Sequence, residues 1–285
     1  MNRILKTHLR LARASNLPTT WSNVLCALLL VGGFGWIAFL GASVAVSCFY
    51  IGGMYLNDWR DAEHDRKHQS FRPIPAGRIA RIWVLFYALV FFAAAIGLSY
   101  TLMPRSIPWA LGLLGCIVAY DLKHKDNPLS PWLMAGCRAL IYPWAVVLSG
   151  QSFTIELWLA CAAVFGYTLG LTYISRGGLG FRQKLLFTLV VLLPAYTWMS
   201  YMGSEVTIAG LVALILFLLW MVHCLGALFC RTPRIGFTVG NLIAGFCLVD
   251  LVAVTMVSNF AWVALPAFLM LFFGTLKSQT LISGT

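Results

Sequence analysis

The chain alternates between long apolar runs and short polar segments. The apolar runs lie near residues 18–38, 41–57, 79–101, 107–121, 131–149, 155–174, 185–203, 206–229, 236–257 and 260–276. Most approach the ~20 residues that an α-helix needs to cross the hydrocarbon core of a bilayer. Because the apolar residues are continuous and do not alternate with polar ones, the pattern predicts membrane helices rather than barrel strands.

The sequence is compatible with either nine or ten full spans. Ten runs are visible, but segment 107–121 is short enough to be tilted or partly interfacial, which leaves nine full spans and one partial span as an equal alternative. The sequence shows no internal repeat and no linker long enough to separate domains. We therefore predict an all-α polytopic membrane protein in which residues 1–285 form a single transmembrane domain.

Composition excludes a soluble globular protein. Hydrophobic residues make up 60% of the chain and charged residues 10%. The eight cysteines are scattered within or near the ends of the runs and form no C-x-x-C pair. The sequence therefore predicts neither a cysteine metal site nor a disulfide framework.

The positive charges predict the orientation. Almost all of the 20 Lys and Arg residues fall in loops on the side of the N-terminus, whereas Arg105 falls on the opposite side. The positive-inside rule then places the N-terminus and these loops in the cytoplasm, in a membrane of the bacterial or organellar inner type. The basic segment 1–17 is predicted to lie at the membrane interface. The net charge of +11 is explained by attraction to the lipid bilayer, without nucleic acid as a partner.

Four of the nine acidic residues lie in one stretch, NDWRDAEHDRKHQSFRPIPAGRI, which we predict to contain a cytoplasmic loop at 58–78. Asn57, Asp61 and Asp65 are spaced i, i+4 and i+8, so a helix would place them in one stripe. Such oxygen ligands suit Mg²⁺, which proteins usually hold together with substrate phosphates. On spacing alone, a solvated loop with weak surface ion pairs is an equal alternative.

Three segments of the chain resemble the UbiA superfamily of membrane prenyltransferases. Asn57-Asp58, Asp61 and Asp65 match its N-D-x-x-D-x-x-x-D motif, and RPIPAGRI matches the turn that follows. The segment RASNLPTTWSNVLCALLLVGG is similar to the first helix of the family, and AYDLKHKDNPL resembles its Y-x-x-x-K loop. The likeness covers roughly the first half of the chain.

The resemblance implies a fold and a reaction. Nine to ten transmembrane helices would form one bundle around a central cavity that opens to the cytoplasmic side. The protein would move a prenyl group from a polyprenyl diphosphate to a small lipophilic acceptor, with Mg²⁺ held by Asn57, Asp61 and Asp65, and with Asp61 and Asp65 as catalytic residues. The diphosphate would be bound by Arg66, Lys67, Arg72, Tyr120 and Lys123, and Asn16 would be a further polar residue of the cavity.

Two charged residues lie inside predicted spans. Membrane proteins keep such groups away from lipid, so Arg138 and Asp250 are expected to face the interior of the bundle. Arg138 either reaches the diphosphate or extends to the interface. Asp250 either pairs with Arg138 or is protonated.

The chain departs from the family pattern after the sixth run. Family members carry a second aspartate motif there, but LTYISRGGLGFRQKLL has no acid and offers Arg176, Arg182 and Lys184. Arg176 is a candidate to bind the diphosphate directly in place of a second metal. The segments LTYISR and NLIAGFCLVDLVA are similar to a divergent branch of the superfamily, the EboC-like proteins.

Three functions therefore remain open. The first is a Mg²⁺-dependent prenyltransferase, which the intact first motif favours. The second is a non-catalytic protein that binds or moves an isoprenoid or another lipid, which the absent second motif favours. The third, a secondary transporter, predicts inverted repeats with broken helices in matching halves, and the sequence shows none.

Overall fold

The structure is a computed structural model of the 285-residue chain. It describes residues 3–123, 127–202, 206–257 and 261–282, without the side chains of Arg3 and Lys123. In these ranges the chain forms helices and no strands. The helices are α1 (Arg3–Leu11), α2 (Leu17–Leu30), α3 (Trp36–His68), α4 (Arg81–Leu102), α5 (Ile107–Lys123), α6 (Ser130–Ala139), α7 (Ile141–Leu148), α8 (Ile155–Ser175), α9 (Phe181–Val191), α10 (Leu193–Met202), α11 (Ile208–Gly226), α12 (Ile235–Ala244), α13 (Phe246–Val257) and α14 (Ala261–Leu281).

Within the described residues, each predicted apolar run is mostly helical, but the helices differ in length. Within the described residues, seven helices or continuous helix pairs are long and apolar enough to cross a membrane, and eight are if the bent pair α9–α10 is one span. Two further runs form the shorter helices α2, with 14 residues, and α5, with 17 residues. These measure about 21 Å and 26 Å, less than a hydrocarbon core. The predicted number of nine to ten spans is therefore approximate.

Helix α3 is much longer than the run that predicted it. It has 33 residues, or about 50 Å, and continues through the whole acidic stretch to His68. Residues 58–68, which begin the segment predicted as a loop at 58–78, are therefore helical. The three aspartates of this part of the helix, Asp58, Asp61 and Asp65, lie on its buried side, while Arg66, Lys67 and His68 complement the helix dipole in the last turn. A short turn, in which Gly77 adopts a φ of 67°, leads to α4.

Helices α2 and α13 form the centre of the bundle. All residues from Ser22 to Leu30 of α2 and from Phe246 to Met256 of α13 are buried. The two helices pack against each other, and α3, α7, α8, α11 and α14 surround them. Polar side chains on α2 and α13 must therefore find their hydrogen-bonding partners inside the protein.

Apolar side chains cover the outer surface of the bundle. On α4, Ile82, Phe86 and Leu89 are at least half exposed, and on α11 Val222 is 72% exposed. Helices of a water-soluble bundle present polar residues at such positions. The outer surface is therefore suited to lipid.

The contact between α8 and α9 depends on a glycine. A Cβ atom added at Gly170 would lie 2.7 Å from Val191 Cγ2 and 3.0 Å from the Phe187 carbonyl oxygen. Because this oxygen belongs to the backbone of α9, Gly170→Ala should lower the free energy of unfolding by about 1–3 kcal/mol. Thermal unfolding in detergent, followed by circular dichroism, measures the change.

The matched control is Gly97→Ala in α4, where an added Cβ meets no atom within 4 Å. This variant should be neutral or slightly stabilised, since alanine is the better helix former. Equal destabilisation by both substitutions would contradict close packing at Gly170.

Candidate active site

The acidic stretch forms a buried stripe on α3. Asn57, Asp58, Asp61 and Asp65 are each between 2% and 7% exposed. Arg66 and Lys67, predicted to bind a diphosphate, lie on the exposed side of the same helix. We call the end of the bundle that carries this stripe the motif end.

Arg72, in the turn after α3, contacts two aspartates of the stripe. Its Nη1 donates a hydrogen bond to Asp65 Oδ2 at 2.9 Å and lies 3.5 Å from Asp58 Oδ1. The arginine of the R-P-x-P-x-G turn is thus brought back onto the helix that precedes it. Its guanidinium balances two carboxylates that would otherwise be buried with like charge beside them.

Arg13 approaches the stripe from the other side. Its Nη2 donates to Asn57 Oδ1 at 3.2 Å and lies 3.5 Å from Asp58 Oδ1. Burial alone lowers the pKa of Arg13, but Asp58 and other nearby acidic groups raise it above its ordinary value. The residue has a φ of 42°, in the left-handed region that costs non-glycine residues about 1–2 kcal/mol. The ion pair offsets this strain.

A carboxylate from α5 completes the cluster. Asn57 Nδ2 donates to Asp121 Oδ1 at 3.1 Å, and Asp121 is 2% exposed. The Asn57 amide therefore joins an arginine through its oxygen and an aspartate through its nitrogen. This pairing also settles which way the amide points.

Sequence reasoning missed three members of this cluster. Arg13 was interpreted as a topological charge, Asp58 was matched to the motif without a role, and Asp121 lies beside Tyr120 in the third matching segment. Their positions within matched segments were the only sequence signal for these residues, and Arg13 is the first residue of RASNLPTTWSNVLCALLLVGG. The contact of Arg13 with Asn57 spans 44 residues of sequence, and no local pattern predicts it.

The cluster suits a magnesium ion that is shared with a substrate. Its acidic residues Asp58, Asp61, Asp65 and Asp121 outnumber the two arginines on them, and oxygen is the donor that Mg²⁺ prefers. Among the described residues, no three acidic, histidine or cysteine side chains are close enough to enclose a metal by themselves. The arrangement therefore fits an ion whose ligands come partly from side-chain oxygens and partly from phosphate oxygens.

An apolar cavity of about 110 Å³ leads inward from the cluster. Tyr120 and Asp121 contribute to its wall, together with Gly53 of α3, one turn before Asn57. Deeper in the bundle its walls are formed by Val46, Phe49, Tyr50, Leu113, Ile117 and Met134. The cavity thus connects the acidic stripe with the interior of the bundle.

Arg138 also lines this cavity, from α6. Its Nη1 donates to Asn23 Oδ1 and its Nη2 donates to Thr19 Oγ1, both at 2.9 Å. Its guanidinium carbon lies 4.1 Å from the centre of the Phe246 ring. The prediction that Arg138 faces the interior agrees with this position, about 12 Å along α6 from Ser130.

Asp250 lies behind the cavity wall. Its carboxylate accepts hydrogen bonds from Ser22, Tyr142 and, at 2.8 Å, from Asn23 Nδ2. It is 1% exposed and is not among the residues that line the cavity, so its prediction as a cavity residue is corrected. It does not pair directly with Arg138, because the amide of Asn23 lies between them.

The remaining predicted residues lie around the site. Tyr120 lines the cavity, whereas the side chain of Lys123 lies outside the described residues. Asn16 does not line it: its Oδ1 accepts a hydrogen bond at 3.1 Å from Gln279 Nε2, which ties the end of α14 to the start of α2.

The loop after α8 uses its cations to hold chain segments together. Arg176 Nη2 donates to the Asn127 carbonyl at 2.8 Å and to Ser130 Oγ at 2.6 Å. Lys184 Nζ donates to the Leu228 carbonyl at 3.1 Å. In this loop without acids, Arg176 and Lys184 therefore stabilise contacts with neighbouring segments of the chain.

Comparison with known sequences identifies related proteins. The UbiA prenyltransferase family matches residues 15–228. A digeranylgeranylglyceryl phosphate synthase of Methanopyrus kandleri is 28% identical over 44% of the chain and 46% of its own length. The 33 kDa chain of bacteriochlorophyll synthase of Cereibacter sphaeroides is 29% identical over 52% of the chain and 53% of its own length. The chain thus spans about half the length of these curated relatives.

Solved structures share the fold over nearly the whole chain. A UbiA homologue of Aeropyrum pernix K1 superposes with a TM-score of 0.62 at 15% identity, covering 96% of this chain and 100% of that one. A homologue of Archaeoglobus fulgidus, bound to DMAPP and Mg²⁺, superposes with a TM-score of 0.54 at 14% identity, covering 97% and 99%. The predicted all-α polytopic membrane fold is confirmed.

The ion pair between Arg72 and Asp65 can be tested by its effect on stability. Arg72→Gln leaves the buried carboxylate of Asp65 without its cation and Asp58 with Arg13 alone, and it should lower the free energy of unfolding by about 1–3 kcal/mol. Thermal unfolding is measured in EDTA, so that no metal replaces the guanidinium. Adding Asp65→Asn to Arg72→Gln should recover part of the loss.

The control is Arg66→Gln, six residues earlier in the sequence and on the exposed side of α3. It should change stability by less than about 0.5 kcal/mol. If the two single variants lose equal stability, Arg72 contributes no more than an exposed surface charge.

Proposed function

Because the chain belongs to the UbiA prenyltransferase family, we propose that it transfers a prenyl group from a polyprenyl diphosphate to a small lipophilic acceptor. The observation that supports this most is the buried stripe of Asn57, Asp61 and Asp65, which is joined through the hydrogen bond between Asn57 and Asp121 to the wall of an apolar cavity. The stripe provides oxygen ligands for a metal–diphosphate group, and the cavity provides apolar walls for the reacting carbon and the acceptor. Structures of relatives bound to DMAPP or GPP with Mg²⁺ support this class of donor.

The diphosphate would bind between the stripe and the cations at the motif end. Arg72 and Lys123 would donate to its oxygens, with Arg66 and Lys67 contributing from the exposed side of α3. In the structure, Arg72 binds Asp65 and Asp58. It would therefore exchange these partners, at least in part, for a diphosphate oxygen.

Asn57, Asp61 and Asp65 would hold the Mg²⁺. When bound, this ion supplies Lewis-acid stabilisation of the charge that grows on the leaving oxygen. Asp121 would act on Asn57, since it accepts a hydrogen bond from Nδ2 and so fixes the orientation of the amide. Asn57 Oδ1 accepts from Arg13 in the structure and would exchange this partner, at least in part, for the metal. Asp121 is thus a positioning residue for a ligand that would otherwise be free to flip.

Bond cleavage would begin at the allylic C–O bond of the donor. Its electron pair would leave with the diphosphate, where Arg72 and Lys123 stabilise it more strongly as its charge increases. The allylic carbon would then form a bond to the acceptor, which releases a proton. Tyr50, Phe49 and Tyr120 line the cavity, and their rings would stabilise positive charge on the carbon and keep bulk water away.

We also propose the orientation in the membrane. The cations concentrated at the motif end favour a cytoplasmic N-terminus and a cytoplasmic active site, in a bacterial or organellar inner membrane. Residues 1–285 would form one domain, in which the basic segment 1–17 leads into α2.

Activity should depend on the two aspartates of the stripe. In nanodiscs with Mg²⁺ and a panel of prenyl diphosphates and aromatic acceptors, Asp61→Asn or Asp65→Asn should lower turnover by at least about 100-fold, because each removes a charged metal ligand. Release of diphosphate and formation of prenylated product are measured together.

Glu63→Gln is the matched control. Glu63 lies on the same helix, but its side chain is exposed and pairs with Arg81. This variant should keep its activity. Lipid binding without turnover for any donor would instead support the non-catalytic alternative.

Asp121 should affect the metal dependence of the reaction. Asp121→Asn keeps the size of the side chain but weakens the acceptor that orients Asn57. The Mg²⁺ concentration for half-maximal turnover should rise by about 10–100-fold, as for other groups that orient a metal ligand through a hydrogen bond. Glu156→Gln, at the opposite end of the bundle, is the control, and an unchanged Mg²⁺ dependence in Asp121→Asn would remove the positioning role.

A further inference from the structure

A groove lies between α1, the turn after α3 and the start of α4. It consists of two hollows of about 230 Å³ each, and Thr7 and Arg78 line both of them. The remaining residues of the groove are Lys6 and Arg10 in one hollow, and Ile4, His8, Ile79, Trp83 and Tyr87 in the other. We call this the α1 groove. It shares no lining residue with the central cavity, so it is a separate feature of the protein.

Three cations line the α1 groove without an acid beside them. Lys6 and Arg10 are four residues apart on α1, so they lie on one face of the helix and repel each other. Arg78 adds a third positive charge from the turn after α3. In the part of the chain that the structure describes, no carboxylate lies within ion-pair distance of these three side chains, and no acidic residue lines the groove. A cleft lined by charges of one sign attracts ions of the opposite sign.

The apolar residues around the groove indicate that it lies at the surface of the membrane. Ile4 and Leu5 of α1 and Trp83 of α4 are each more than half exposed, although they are large and apolar. Trp83 is the third residue of a helix that is long and apolar enough to cross a membrane, and tryptophan is enriched at the level of the lipid headgroups. On α1, helical geometry places Lys6 and Arg10 on the opposite side from Ile4 and Leu5. A helix with this distribution is typical of one that lies in the plane of the membrane interface.

We infer that the α1 groove binds the headgroup of an anionic membrane phospholipid. The phosphate would lie among Lys6, Arg10 and Arg78, because ammonium and guanidinium groups donate strong hydrogen bonds to phosphate oxygens. The acyl chains would lie beside Ile4 and Trp83 and continue into the bilayer. This site is distinct from the candidate active site, and it does not depend on the proposed prenyl transfer.

The charges favour an anionic headgroup over a zwitterionic one. In phosphatidylcholine a quaternary ammonium accompanies the phosphate, so the headgroup has no net charge, and its ammonium would be repelled by the three cations. The headgroup of phosphatidylglycerol keeps its negative charge. Each Lys or Arg close to an anionic lipid surface strengthens binding by about fivefold.

The apolar side of the groove favours a lipid over a phosphate dissolved in water. A free phosphate would contact only the cations, whereas a lipid would also cover the exposed side chains of Ile4 and Trp83. Removal of this apolar surface from water adds to the affinity for the lipid.

A lipid in the groove would also fix the position of α1. The helix contacts α3 through His8, whose Nδ1 lies 2.7 Å from the hydroxyl oxygen of Tyr55. Arg13, two residues after the end of α1, contacts Asn57 and Asp58 of the stripe. Because α1 and α4 both line the groove, the lipid would bridge them and hold the helix that leads to Arg13.

Native mass spectrometry of the full chain in detergent micelles tests the inference. The protein is titrated with dioleoylphosphatidylglycerol, with dioleoylphosphatidylcholine or with water-soluble glycerol 3-phosphate, and the bound molecules are counted from the mass. The first phosphatidylglycerol should bind at least about tenfold more tightly than the first phosphatidylcholine, because more than one cation gains from its charge. Glycerol 3-phosphate should bind at least about tenfold more weakly than phosphatidylglycerol, since it lacks the acyl chains.

Variants assign the preference to the groove. Lys6→Gln, Arg10→Gln and Arg78→Gln should each weaken phosphatidylglycerol binding by about fivefold and leave phosphatidylcholine binding unchanged. None of these three side chains is buried, so the variants should fold. Arg182→Gln is the matched control, because it removes the same charge from an exposed side chain at the start of α9 that does not line the groove. This variant and Asp61→Asn should bind both phospholipids as the native protein does.

Three results would overturn the inference. The first is equal binding of the two phospholipids by the native protein. The second is an equal loss of phosphatidylglycerol binding in Arg182→Gln and Arg78→Gln, since the cations would then act only through the net charge. The third is binding of glycerol 3-phosphate as tight as that of phosphatidylglycerol, which would make the groove a site for soluble phosphate esters. If one groove variant does not fold, the lipid series on the native protein and the other two variants decide.

Discussion

The arrangement of the motif end depends on balancing the acids that α3 buries. Four carboxylates lie at this end, and each needs cations or donors because little water reaches them. Arg13 and Arg72 supply the cations and Asn57 supplies a donor. Meeting this one requirement brings together the N-terminal segment, the turn after α3 and the end of α5, and so shapes the mouth of the cavity.

The same arrangement occurs a second time, deeper in the bundle. Asn57 joins Arg13 to Asp121, and Asn23 joins Arg138 to Asp250, in each case with the amide oxygen toward arginine and the nitrogen toward aspartate. In each case the asparagine amide forms a hydrogen bond with the arginine and another with the aspartate, so these two charged groups do not form a direct ion pair with each other. Asp121 from the first arrangement and Arg138 from the second both line the cavity.

The loop after α8, which lacks the second aspartate motif, also has its charges balanced by contacts within the protein. The cations of the loop after α8 bind backbone and hydroxyl oxygens of neighbouring segments, so they stabilise that loop. Asp121, from α5, adds the carboxylate that lies against the first motif. The site is therefore asymmetric, with its acids concentrated on α3 and α5.

The sequence by itself determined the membrane class, the approximate positions of the helices and the stripe of Asn57, Asp61 and Asp65, because each rests on local composition or on helical period. It could not determine that α3 continues to His68, or that Arg13 and Asp121 join the stripe while Arg66 and Lys67 point away. It also could not show that Asn23 separates Arg138 from Asp250. These features depend on the tertiary structure, because they are contacts between residues far apart in the chain. Buried charges find their partners through such contacts, and no local sequence pattern predicts them.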